Sequence, residues 1–150
     1  MIAWIILPLA FIGLLISLYF SFAYYGRVRK SRWIPAILCA HEASSCVTVV
    51  QTPYACIFRV PNSVLGVIYY LAVIAWAFLS GHFGVSAWGW ALPLWHVLFW
   101  LLISASAVTV VLGFYLTYVL RRALRIDCPL CYTAHAINLV VFILLCLMAW

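Results

Sequence analysis

Four long apolar stretches leave this chain few ways to fold. They cover residues 2–24, 63–79, 92–120 and 129–150. Crossing the hydrocarbon core of a bilayer takes roughly 20 helical residues. The stretches are too long and too uniform for barrel strands, and a spanning segment must satisfy its own backbone hydrogen bonds, so each predicts a helix. Of the 150 residues, 70% are hydrophobic and 7% charged, which excludes a soluble globular domain and a disordered segment. The net charge of +6 comes from eight Lys and Arg against two acids. So few cations, placed at span borders, cannot track a phosphate backbone, and no nucleic-acid partner is expected. The first stretch lacks the basic flank of a secretory signal and exceeds its usual apolar length, so it is expected to be retained. The expected architecture is therefore an all-α integral membrane protein, a four-transmembrane-helix bundle forming a single domain over residues 1–150.

The connections are unequal. Residues 25–62 make a long loop between the first two helices, with Cys39, Cys46, Cys56 and three prolines. Within it, SSCVTVVQTPYACIF predicts a short interfacial helix, weakened by Pro53. An uncharged turn rich in Gly and Trp covers 80–91, and the seven residues RRALRID link the last two spans. Trp88, Trp90 and Trp95 suit an interfacial aromatic belt, and the small residues SASA at 104–107 suit close helix contact. With four spans, the long loop and RRALRID emerge on the same side. All eight cations and five of the six cysteines lie there.

The sharpest motif is DCPLCYTAH at the head of the fourth span. Pro129 suits the first helical position, which puts Cys128 at the N-cap and Cys131 in the first turn. A helix N-terminus offers unpaired N–H groups and the positive end of a dipole, both favouring thiolate. The C-x-x-C spacing lets the two sulfurs close as a disulfide or open as a reactive dithiol. Cys39 and Cys46, in CAHEASSC, supply a second pair on the same side. A loop pair above a membrane-embedded pair is the minimum apparatus for relaying two electrons by thiol–disulfide exchange. No dinucleotide fingerprint or haem motif appears, so the natural acceptor in an apolar pocket is a lipid-soluble quinone. The competing reading is a non-enzymatic membrane subunit with a static disulfide or a zinc site. Cys39, His41, Cys46, Cys128 and Cys131 have the right ligand types for zinc, although the second C-x-x-C of a zinc ribbon is missing.

These ordered motifs resemble the vitamin K epoxide reductase family of thiol–quinone oxidoreductases. The resemblance spans nearly the whole chain: the loop pair Cys39 and Cys46, then SCVTVVQTPYACIFRVPNSVLGVIYY, then CPLC at the head of the last span. It implies a four-helix bundle around a quinone site, capped by the cysteine-bearing loop between helices 1 and 2. By that likeness Cys39 meets a thioredoxin-like redox protein, Cys46 exchanges with Cys128, and Cys131 faces a quinone of menaquinone or ubiquinone type. Asn62 matches an asparagine that hydrogen-bonds a quinone carbonyl in relatives. His135 takes a position that is tyrosine in some members, and Thr52 one that is usually serine. The DsbB family shares the chemistry but carries its C-x-x-C early in the chain, so the motif order here argues against it.

The remaining polar and sulfur residues invite plainer readings. Cys56 and Cys146 read as small packing residues. His82 reads as interfacial, as does His96, although an ionisable residue inside a span is a functional suspect by default. Glu42 and Asp127, the chain's two acids, both adjoin redox cysteines and either tune a thiol or cap. The distribution of Lys and Arg predicts that the cysteine-bearing loops face the cytoplasm. The resemblance implies the opposite face, while disulfide-rich interiors of some hyperthermophiles make a cytoplasmic site chemically reasonable.

Overall fold

A computed structural model describes residues 2–26, 45–57, 60–83 and 92–149. Helix α1 spans Ile2–Tyr24, α2 Ser45–Val50, α3 Asn62–Phe83, α4 Leu92–Val119 and α5 Pro129–Ala149. All but α2 are long and apolar enough to cross a membrane, so the protein is an all-α membrane bundle. Between α2 and α3, Pro53–Ala55 forms a 3-10 turn, and Cys56–Ile57 (β1) pairs antiparallel with Val60–Pro61 (β2). The short helix expected in the loop therefore stops at Val50. Thr52 Oγ1 donates to the Val49 carbonyl at 2.7 Å, closing the helix end, and Pro53 begins the next turn.

Helix α1 shows how the bundle chooses its faces. It is apolar all round, yet Ala3, Ile6, Ala10, Gly13, Ser17 and Ser21 turn inward at steps of three and four, while Trp4, Phe11, Leu15 and Phe22 are exposed. Lipid solvates large apolar side chains as well as protein does, so small residues that permit close backbone approach mark the interface. Pro8 sits on the exposed side of this helix. Helix α1 packs most extensively on α3 and also touches α5, and α5 packs on α4.

The seam between α3 and α4 is sparse by comparison. It is held at the end away from Cys128 and Cys131 by Trp76, stacked on Phe99 at 4.8 Å and on Trp95 at 5.9 Å. Trp95, expected in an interfacial belt, is thus half-buried in an interhelical stack; Trp88 and Trp90 lie outside the described residues. Midway, Tyr69 and Ser106 hydroxyls meet at 2.7 Å, both buried. Ser106 is thus the buried member of the small-residue string, whereas Ser104 is exposed and bonds back to the Trp100 carbonyl.

The expected loop RRALRID is largely helical instead. Leu120–Leu124 continues α4 as a π-helical turn, and only residues 125–128 separate it from α5. The Leu120 carbonyl accepts the N–H groups of both Arg125 and Ile126, and Arg125 takes φ 51° to close the turn. The wider turn buries Leu120 and leaves Arg121 and Arg122 exposed.

One close approach is a sharp test of this packing. A Cβ at Gly13 would collide with the ring of Tyr70, which is 2% exposed and hydrogen-bonded to Asn138. Gly13→Ala should therefore destabilise the protein by about 1–3 kcal/mol, the usual cost of overpacking a tight core. Unfolding in detergent measures it, and an unchanged midpoint would show that the α1–α3 contact is looser than described.

Candidate active site

The helix-start chemistry expected at the fourth span is present. Pro129 opens α5, and the Cys128 carbonyl accepts from the N–H groups of Cys131 and Tyr132. Cys128 is fully buried. The Cys131 thiol donates to Cys128 Sγ at 2.7 Å, so the two sulfurs are in contact. That hydrogen bond holds the Cys128 thiol below its ordinary pKa. The backbone N–H groups of Cys131 and Leu130 act in the same direction, against the opposing effect of burial.

Asp127, next to Cys128 in the sequence, bonds to a different side chain. It accepts a hydrogen bond from the Tyr132 hydroxyl at 3.2 Å, and the Arg121 guanidinium stands 5.2 Å from the centre of the Tyr132 ring. The π turn and the head of α5 are thus clamped together through one aromatic side chain, and the acid beside Cys128 serves that clamp. Cys56, expected to be simple packing, is half-buried with its thiol 3.8 Å from the Tyr24 hydroxyl. Cys146 is half-buried within α5, and His96 is exposed.

Cys131 borders a cavity of about 180 Å³ lined by α1, α2, α3, α4 and α5 at the end where the α3–α4 seam is open. One water needs only roughly 10–15 Å³, so the space suits something larger. Phe20, Val50, Leu65, Leu112, Leu116 and Leu120 make its walls largely apolar. Val49, Val50, Thr52, Tyr54 and Ala55 close it on the loop side, which gives the short helix α2 its place as a cap.

Against these walls stand polar atoms with nothing to bond. Four buried side-chain N or O atoms among the described residues lack a hydrogen-bond partner, and three of them line this cavity: Asn62 Oδ1, Ser63 Oγ and His135 Nδ1. Buried polar groups are costly unless satisfied, and three orphans around one apolar cavity suit a ligand with an apolar body and polar edges. A quinone has that chemistry. Asn62 spends one N–H on the Tyr54 carbonyl at 3.3 Å, which fixes its amide beside the cavity. His135 packs against Gly113, where an added Cβ would lie 2.9 Å from Nδ1. The helix opposite thus has a glycine where the imidazole needs room.

Cys128, Cys131, Asn62 and His135 therefore gather at one end of the bundle. Cys46 is the second residue of α2, but its side chain lies outside the described residues, as do Cys39, His41, Glu42 and the side chain of His82. Among the described residues no group of three His, Cys, Asp or Glu side chains gathers to hold a metal. Ser63 and Asn138 also line the cavity, and neither was singled out from the sequence. Their signal was there in outline, because polar side chains inside a membrane span are rare enough to suspect.

The lowered thiol has a direct test. Reduced protein titrated by ultraviolet thiolate absorbance should show one thiolate forming below the roughly 8.5 of a free cysteine, and Cys128→Ser should remove it. A first midpoint at or above that of free cysteine would contradict the helix-mouth stabilisation.

Comparison with curated proteins finds no match. The model of the vitamin K epoxide reductase family matches residues 4–146, nearly the full chain. The protein thus belongs to the vitamin K epoxide reductase family, whose members are membrane thiol–disulfide oxidoreductases that work with quinones.

Proposed function

We propose that the protein makes disulfides: it oxidises the dithiol of a thioredoxin-like partner and passes the electrons to a membrane quinone. The observation that carries this reading is Cys131, in contact with Cys128 and bordering an apolar cavity that holds three orphaned polar atoms. In the first half-reaction the partner's two thiols become a disulfide as the Cys39–Cys46 disulfide is reduced. The loop dithiol then reduces the Cys128–Cys131 disulfide through a mixed disulfide between Cys46 and Cys128. In the last step the Cys128–Cys131 dithiol loses two electrons and two protons and its S–S bond re-forms. The quinone takes up both electrons and both protons to become quinol.

The chain's residues divide the work. Cys128, held toward thiolate, supplies the nucleophile that re-forms the bond to Cys131. The half of the site that meets the quinone comprises Cys131, His135 and Asn62. His135 can donate to a carbonyl oxygen, and Asn62 Oδ1, unpaired in the structure, can accept from a quinol hydroxyl. Menaquinone and ubiquinone types both satisfy this chemistry. The loops carrying the cysteines are assigned to the cytoplasmic face, because Lys and Arg concentrate there.

Anaerobic mixing of reduced protein with menaquinone and ubiquinone analogues should produce quinol and consume two thiols. Cys128→Ala and Cys131→Ala should each abolish this reaction, while Cys39→Ala should lose turnover with a protein dithiol and keep part of it with a small one. Full activity of Cys131→Ala would remove the mechanism. About one zinc per chain, with no thiol change on adding quinone, would favour a static subunit. Gly113→Ala, which crowds the imidazole, should weaken quinone binding by about fivefold, the worth of one neutral hydrogen bond, with the fold retained. Ready labelling of Cys39 in intact cells by a membrane-impermeant maleimide would reverse the sidedness.

A further inference from the structure

Both asparagines of this chain line the same cavity, and the second, Asn138, has no part in the scheme above. It lies on α5 seven positions after Cys131 and three after His135. That spacing sets all three on one helix face, and all three border the cavity. An amide this far inside a spanning helix is costly unless it has work to do.

The structure holds this amide in one orientation. The Tyr70 hydroxyl donates to Asn138 Oδ1 at 2.7 Å. Tyr70 cannot easily turn, because it is buried with its ring pressed over Gly13. With its oxygen anchored by Tyr70, the planar amide is fixed in orientation and has two Nδ2 donors to offer a ligand.

We propose that Asn138 is a specificity-determining residue for quinones with two opposed carbonyls, its Nδ2 donating to the carbonyl farther from Cys131 while His135 meets the nearer one. Residues three apart on a helix stand about 5–6 Å apart at Cβ, comparable to the separation of the two oxygens across a para-quinone ring. The ring then lies along α5 with one edge toward Cys131. Tyr70 is a positioning residue that acts through Asn138. This inference rests on the quinone-reducing reading, and it adds what that reading leaves open: how the far edge of the ring is recognised.

Infrared difference spectra of the full-length protein with a short-chain menaquinone analogue, isotopically labelled at one carbonyl or the other, test it. In the unsubstituted protein both carbonyl bands should lie below those of the analogue in hydrocarbon. In Asn138→Leu one band alone should return to the hydrocarbon position, with Kd raised about three- to tenfold. A merely structural tie between α3 and α5 would move both bands or neither, and either result overturns the proposal. Tyr70→Phe, which keeps the ring over Gly13, should shift the same single band by freeing the amide to turn. An unmoved band there overturns the proposal even if Asn138→Leu fails to fold. Should the unsubstituted protein neither bind nor reduce the analogue, the quinone reading itself falls. If it does both while Asn138→Leu leaves the bands in place, only the role of Asn138 falls.

Discussion

Hydrocarbon does not reward the burial of one apolar side chain over another, and the rest of this structure follows from that constraint. The spanning helices are greasy on every side, so their inward faces are chosen by size and by a handful of hydrogen bonds. Small residues of α1 admit α3 closely, and Tyr70 fills the space above Gly13. Two adjacent tyrosines of α3 then bond in different directions, Tyr69 to Ser106 on α4 and Tyr70 to Asn138 on α5. Such bonds between membrane helices contribute about 0.6–2 kcal/mol each. Modest as they are, they set the relative placement of three helices.

The same solvent argument accounts for the site. A thiolate in an apolar setting needs donors, and a helix start supplies them without a buried cation. Cys128 receives two backbone N–H groups and the thiol of Cys131, while the nearby carboxylate of Asp127 is occupied by Tyr132. The α3–α4 seam is closed by aromatic stacking at one end and by a hydroxyl pair midway, and it opens where Cys131 looks in. A single turn of helix thereby joins the two sulfurs at its start to the cavity.

Several features are legible in the sequence alone. The C-x-x-C pair and its proline are local, so one helical turn sufficed to put Cys128 at the N-cap beside Cys131. Asn62 and His135 entered through family likeness, and the structure sets both at one cavity with unpaired atoms. The π turn was not legible. No glycine announces the left-handed residue, and Arg125 takes that conformation because two N–H groups converge on the Leu120 carbonyl. Nor was the engagement of Asp127, which depends on where Tyr132 and Arg121 come to rest. Asn138 had been visible only as one amide in the composition, since its importance depends on Tyr70, far away along the chain.

The amino-acid order by itself determined the number of spans, the emergence of the α1–α3 and α4–α5 connections at one end, and the dithiol at the head of the last helix. Each is a local property, decided by the length of an apolar run, the parity of crossings or the spacing of one turn. Which face of each helix turns inward, where the bundle gapes and which polar atoms are left unpaired were decided only by tertiary structure. The physical reason is that in a helix apolar on every side no periodicity marks the buried face, so only contact with other helices can choose it.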